Sequence, residues 1–310
     1  MTEISRRLAL TGIATAGAAI AAAGSATAQT SPKPLTGKTA VVTGARRNQG
    51  RAYAVQLATM GANLVLHHHR SDGADDTAET ARLVAEAGSR SVTGKGDLGD
   101  PATAAMLFDA AEAEFGGADI LIHTAGAIIK KPVAAFTDAD FERLLNDNTR
   151  TTFYAMREGA RRLRDGGRIV AVGTSLTAGT APGYAVYAGT KAPVEEFTRM
   201  MARELGSRGI TVNNVAPGPL DNSFFHAAET PQTAAYAASL APSGRLGNEA
   251  DIVPVVANLA SEAGAGTNGQ TLLTKGGYVT RLSSIRAAAG NGRPSRRERR
   301  HDRKRPPPWQ

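Results

Sequence analysis

The chain has 310 residues, 36 Lys plus Arg against 28 Asp plus Glu, a net charge of +8, 42% hydrophobic residues and no cysteine. That hydrophobic share is too high for a disordered chain, and zero cysteines exclude a disulfide framework, a thiol nucleophile and Cys-ligated zinc or iron–sulfur sites. The charge alone would fit a nucleic-acid binder, but ten basic and two acidic residues fall in 281–310, two and one in 1–28, and 24 and 25 in the stretch between.

A middle of net −1 reads as a nearly neutral globular protein large enough for a sizeable core. Before it, Ser5-Arg6-Arg7-Leu8 leads into a Gly/Ala-rich run to Ala23, and Ala26-Thr27-Ala28 precedes Gln29. A positive start, a moderately apolar run and a small-x-small site have the order of an export signal, so residues 1–28 are expected to be a cleaved leader and 29–36 a linker. The adjacent arginines resemble a twin-arginine signal, whose pathway exports folded proteins. A periplasmic protein is then expected, or a cytoplasmic one if the leader does not function. No later segment offers the roughly 20 strongly apolar residues of a spanning helix, so no stable membrane association is expected.

From Gly37 the pattern is strand, turn, helix, repeated. Thr39 to Val42 is a short apolar run ending in Thr43-Gly44, and Arg51 to Met60 has helical spacing before Gly61. Leu64-Val65-Leu66, a third strand before Asp97, Ile120-Leu121-Ile122 and Ile169 to Val172 continue the series, with helices over Thr77 to Ala87, after Asp138 and after Thr149. Short, continuously apolar strands separated by helices imply a parallel sheet covered on both faces, an α/β Rossmann-type doubly wound fold of about seven strands in a single domain. Ligands bind such sheets at the carboxyl ends of the strands.

The first such end is Thr43-Gly44-Ala45-Arg46-Arg47-Asn48-Gln49-Gly50. Glycines between a strand and a helix let backbone approach a pyrophosphate, held by the free N–H groups and positive dipole of the helix start. Asn48 lies in this turn, and after glycine Asn is the residue most tolerant of left-handed backbone. The second strand ends in His67-His68-His69-Arg70-Ser71 rather than in the carboxylate that would bind a ribose 2′-hydroxyl. Several donors and no acid, with Arg46 and Arg47 in the turn, favour a 2′-phosphate, hence NADP(H) over NAD(H). No metal site is expected, since consecutive strand residues point to opposite faces.

Tyr187 and Lys191 lie four residues apart and so share one helix face. A free phenol titrates near ~10, and a neighbouring ammonium stabilises phenolate, which makes the pair a candidate acid/base. Tyr184 has Ala188 at the same offset and is set aside. A strand ending at Val172-Gly173-Thr174-Ser175 places hydroxyls where a carbonyl oxygen can be held; Ser175 is the first choice and Thr174 the alternative. The segment 221–247, with Phe224, Phe225, His226 and Tyr236, is expected either to select the substrate or simply to pack a lid with those aromatics. Beyond it the tail, residues 282–310, is Arg-rich with Pro306 to Pro308 and no apolar periodicity. It is read as disordered, either a solvated extension or a polyanion-binding arm.

These motifs together resemble the short-chain dehydrogenase/reductase family, with its Thr-Gly-x-x-x-Gly-x-Gly turn and Ser…Tyr-x-x-x-Lys set, over about residues 37–281. The resemblance implies hydride transfer between NADP(H) and a small carbonyl compound or alcohol, with Tyr187 as acid/base, Lys191 tuning it and binding the nicotinamide ribose, and Asn148 completing a proton relay. It further implies cofactor contacts from Asp97-Leu98 and from Ala125-Gly126. Pro217, Gly218 and Leu220 would lie along the nicotinamide. His123-Thr124 replaces the family's Asn-Asn, and Asn222 stands near an expected Thr. A homotetramer or homodimer built on 150–163 and 194–205 is implied as well. The alternatives are a catalytically idle NADP-binding sensor on the same scaffold and a polyanion binder acting through the tail; no nucleic-acid partner is expected.

Overall fold

The computed structural model describes residues 33–278 apart from Asp72. The leader, the first part of the linker and the basic tail lie outside the described residues.

Seven strands form one sheet: β1 Thr39–Thr43, β2 Asn63–His69, β3 Ser91–Gly96, β4 Ala118–His123, β5 Leu163–Val172, β6 Thr211–Pro217 and β7 Thr271–Thr274. Every pairing is parallel and the order is β3-β2-β1-β4-β5-β6-β7. The order reverses between β1 and β4, so the crevice for a ligand opens above their carboxyl ends.

The two faces follow from strand alternation. Val42, Leu64, Leu66, Ile122 and Val170 point to one side, where α1 (Asn48–Thr59) and α2 (Ala74–Glu86) pack, together with α10 (Glu249–Leu259) through Ile252, Val256 and Leu259. Val41, Val65, Leu121, Ile169 and Val212 point to the other, against α3 (Pro101–Phe115), α5 (Thr151–Arg162) and α7 (Pro193–Glu204). β1, β4 and the Ile169 to Val172 end of β5 are buried on both faces and need few polar positions, which is why they read as continuous apolar runs.

Between β4 and α5 the chain forms α4 (Asp138–Leu144), opened by a Thr137–Asp140 capping box, and then a π-helical turn over Leu145–Arg150. After β5 comes α6 (Ala185–Lys191). After β6 a lid of α8 (Ser223–His226) and α9 (Pro231–Ser239) covers the carboxyl end of the sheet. Among the described residues no helix is long and apolar enough to cross a membrane.

Candidate active site

The turn after β1 is built as its residues require. Gly44 has φ +64, and a Cβ there would lie 2.9 Å from Thr124 Oγ1 and 3.3 Å from the Ala125 backbone. A Cβ on Gly50 would lie 2.1 Å from the Gly44 carbonyl oxygen, so the first turn of α1 closes directly on the strand end. Asn48 alone among the described non-glycine residues takes positive φ, at +49, the left-handed conformation expected of it. Its amide exchanges hydrogen bonds with the Ser223 hydroxyl, Nδ2 donating at 3.1 Å and Oδ1 accepting at 3.2 Å, which ties the turn to α8 of the lid.

The nucleotide cleft beside this turn is lined by Gly44, Arg46, Arg47, Asn48, Gln49 and Gly50, and by Asp97, Leu98, Ala125 and Gly126. From the end of β2, His69 and Ser71 line it, joined by the Ser71 hydroxyl on His69 Nδ1 at 2.7 Å. His67 is buried and works backwards: its Nδ1 accepts the Gly44 amide at 3.2 Å, leaving Nε2–H to donate to the Gly96 carbonyl at 3.2 Å. Arg70 departs from expectation. Its side chain is 71% exposed, pairs with Asp97 at 3.1 Å and is not part of the cleft wall, because strand alternation turns it away from the face that His69 shares. Arg46 is held by Asp76 at 2.8 Å, whereas Arg47 is exposed. Thr124, which replaces a family Asn, lines the cleft too, as do Arg143 and Asp147, which nothing in the local sequence marks.

Tyr187 and Lys191 emerge on one face of α6, both buried and both on the cleft wall. Burial pushes the Tyr187 phenol up to about 12, against a lowering hydrogen bond from the Thr174 side chain. Burial pulls Lys191 down to about 8, and its ammonium donates to the Val172 carbonyl at 2.9 Å. Both Thr174 and Ser175 line the pocket beside Tyr187, and the Thr174 hydroxyl also accepts the Leu176 amide at 3.4 Å. Asn148 sits in the π-helical turn, fully buried: Nδ2 donates to the Ala127 carbonyl and to Thr190 Oγ1, and Oδ1 accepts the Ala127 amide at 2.9 Å. A Cβ on Gly126 would lie 2.8 Å from Asn148 Oδ1 and 3.1 Å from Lys191 Nζ, so the loop after β4 lets both groups converge behind the cleft.

His123 and Thr124 rebuild the link between β1 and this region. Thr43 Oγ1 accepts the amides of Thr124 and Ala125, so its single proton goes to His123 Nδ1 at 3.0 Å. His123 therefore carries its proton on Nε2, which donates to Thr152 Oγ1 at 3.1 Å, and Thr152 in turn donates to the Asn148 carbonyl at 2.6 Å. Burial first, then the charges of Lys191 and His67, pull His123 down to about 3, so it is neutral.

Next to the cleft, a pocket is bounded by Thr174, Ser175, Tyr187, Pro217, Gly218 and Leu220, with Phe224, Phe225 and Tyr278 as aromatic walls. Pro217, Gly218 and Leu220, expected along the nicotinamide, line this pocket and are not part of the nucleotide-cleft wall, whereas Asn213 and Asn214 face β7 and its approach, bonding Thr267, Gln270 and Thr271. Of the aromatics expected to select substrate, Phe224 and Phe225 line the pocket. His226 pairs with Asp221 at 2.7 Å, Tyr236 is 56% exposed, and neither reaches it. Tyr184, set aside on spacing, is buried in the pocket wall and donates its hydroxyl to Glu229, itself paired with Lys130. Asn222 caps α8, its Oδ1 accepting the amides of Phe224 and Phe225.

Residues 44–279 match the family model described as "Enoyl-(Acyl carrier protein) reductase". An NADPH-dependent aldehyde reductase-like protein, chloroplastic, of Arabidopsis thaliana is 37% identical over 80% of this chain and 96% of its own length. A short-chain type dehydrogenase/reductase of Picea abies is 36% identical over 79% of this chain and 93% of its own. Among solved structures, a putative dehydrogenase from Burkholderia cenocepacia with bound NADP superposes with a TM-score of 0.76 at 36% identity, covering 81% of this chain and 97% of that one. The chain belongs to the short-chain dehydrogenase/reductase family of oxidoreductases.

Proposed function

We propose that the protein is an NADP(H)-dependent oxidoreductase that interconverts a carbonyl compound and an alcohol, with Tyr187 as acid/base. The observation that carries this is the convergence of the Tyr187 phenol, the Thr174 hydroxyl and the Lys191 ammonium at the junction of a phosphate-binding turn and an aromatic pocket. NADP(H) fits the turn because Gly44 and Gly50 leave no room for a Cβ and the free amides of α1 face the cleft. It also fits the second strand, which offers His69 and Ser71, with Arg46 and Arg47 opposite and no acid on the strand end. The NADP in the Burkholderia structure and the NADPH dependence in the Arabidopsis relative's name support the same choice.

The cofactor supplies or takes the hydride at nicotinamide C4. The chain does the rest. The substrate oxygen accepts hydrogen bonds from Tyr187 and from the Ser175 hydroxyl, with Thr174 the alternative; all three line the same pocket. Tyr187 donates its proton to that oxygen as it becomes an alkoxide, and Lys191 favours the phenolate left behind. Asn148, anchored on Ala127 and Thr190, holds the relay that returns a proton toward Lys191. Phe224 and the lid exclude water from the junction.

Replacing Tyr187 with Phe is expected to cut NADPH-dependent reduction of an aldehyde and diketone panel by at least about a hundredfold while leaving NADPH binding intact. Unchanged turnover sinks the mechanism; binding without turnover in the wild type across the whole panel favours the idle sensor. The oligomer is proposed to form on α5 and α7, where Phe153 is 43% and Met200 47% exposed. Twin-arginine export to the periplasm with cofactor already bound is proposed from residues 1–28; a tagged full-length protein found only in the cytoplasm would overturn it.

A further inference from the structure

Carbonyl reduction by Tyr187 has no use for a carboxylate in the substrate pocket, yet Glu229 is there. Its side chain is 4% exposed and lines the same cavity as Tyr187. Taking a carboxylate out of water is costly unless it is partnered. Its partners come from separate segments: Lys130 of the loop after β4 on Oε2 and Tyr184 ahead of α6 on Oε1. Burial pushes Glu229 up, but the hydrogen bonds from Lys130, Thr233 and Tyr184 and the charge of Lys130 outweigh it, and the group stays anionic.

If these segments only needed fastening to the lid, apolar contacts would serve, since exchanging a buried ion pair for packed apolar side chains is often neutral or stabilising. The chain instead keeps an acceptor-only group among Ile128, Phe224, Phe225 and Tyr278. An ionised carboxylate has about four acceptor sites, and the bonds just named use fewer. The capacity left over is open to a donor inside the cavity that Glu229 lines.

We propose that Glu229 accepts a hydrogen bond from a hydroxyl of the substrate remote from its reacting carbonyl, so that the pocket selects hydroxylated, ring-sized carbonyl compounds over their deoxy analogues. This rests on the reading that the cavity beside Tyr187 takes the carbonyl substrate. A charge-assisted hydrogen bond of this kind discriminates by about tenfold or more.

The test uses the full chain saturated with NADP⁺ and two bicyclic probes, 2-naphthol and 2-methoxynaphthalene, which share a skeleton and differ in the donor. Calorimetric titration is expected to show naphthol binding about tenfold or more tightly to the wild type, with the ratio falling below about threefold in Glu229→Leu. Should that variant fail to fold, Glu229→Gln keeps the shape and an acceptor without the charge, and is expected to lower the ratio by at least about threefold. Tyr184→Phe removes a different bond of Glu229 and is expected to keep the ratio. Equal binding of both probes to the wild type, a ratio preserved in both Glu229 variants, or an equal collapse in Tyr184→Phe overturns the assignment; the last would make Glu229 a fastening alone. A wild type that binds no NADP⁺ or reduces no carbonyl compound counts against the proposed function instead, and that outcome is read in a separate titration and assay.

Discussion

The buried His123 contributes a share of the acid sensitivity that can be assigned to one side chain. Folded, it is neutral down to about pH 3; unfolded, it titrates near the ordinary value of 6.5. A folded-state pKa that is depressed contributes stability present above the unfolded value and lost as pH falls, because only the unfolded chain takes up the proton. Each unit costs about 1.4 kcal/mol, so His123 alone removes roughly 2 kcal/mol between pH 7.5 and pH 5. Replacing it with Asn, the residue the family pattern carries, removes the titration while keeping a side chain able to bond Thr43. Urea unfolding of wild type and His123→Asn at pH 7.5, 6 and 5 isolates the effect, because all other titrating groups cancel in the difference. The wild-type advantage is expected to shrink, or the variant's to grow, by about 2 kcal/mol from pH 7.5 to pH 5, equivalent to several degrees in melting temperature for a domain of this size. A difference between the two proteins that is independent of pH would refute the neutral, Nε2-protonated assignment and the Thr43–His123–Thr152–Asn148 chain built on it.

Other outcomes follow from single positions. Asn48→Gly, which keeps the left-handed turn at φ +49, is expected to retain NADPH affinity, and Asn48→Val to lose stability by about 1–2 kcal/mol and to weaken NADPH binding; calorimetry and thermal melting check both. Lys191, lowered to about 8 by burial, loses its proton as pH rises through that value, so the rate of carbonyl reduction is expected to fall above pH 8; a profile still rising at pH 9.5 contradicts this. Gly189 lies exposed in α6, and a methyl added to its Cα would meet nothing within 4 Å, so Gly189→Ala is expected to raise the melting temperature by roughly 1–4 °C with cofactor binding intact.

The parts of the site legible in the sequence are those built from neighbours along the chain. The strand–turn–helix around Gly44 and Gly50 and the four-residue step from Tyr187 to Lys191 are local geometry, and so are readable without the fold. Asn48 is legible for the same reason, since its left-handed backbone is a preference of the residue itself. What escapes depends on distant partners. Whether Thr174 or Ser175 serves the phenol turns on how a 3-10 turn leaves β5, which spacing along the chain does not fix, and both residues reach the pocket wall. The π-helical turn that presents Asn148 is fixed by Ala127 and Thr190, which lie outside its own segment. Glu229 reaches Lys130 across 99 positions and Tyr184 across 45, distances over which no spacing rule operates. Tyr236 misleads because an aromatic residue in a lid carries no mark of which side of its helix faces inward, and here it faces solvent.

The all-parallel sheet has a kinetic corollary. No two adjacent strands can be joined by a hairpin, so each pairing waits for a crossover to close, and the β1–β4 seam that carries the nucleotide cleft joins Thr43 to His123 across 80 residues. Loop-closure entropy of that kind is spent before the contacts return anything, which places such seams among the slow events of folding. Gly44, His123 and Asn148 all depend on that seam, so the nucleotide cleft is not preformed in any early hairpin or helix pair but comes into being with the sheet as a whole.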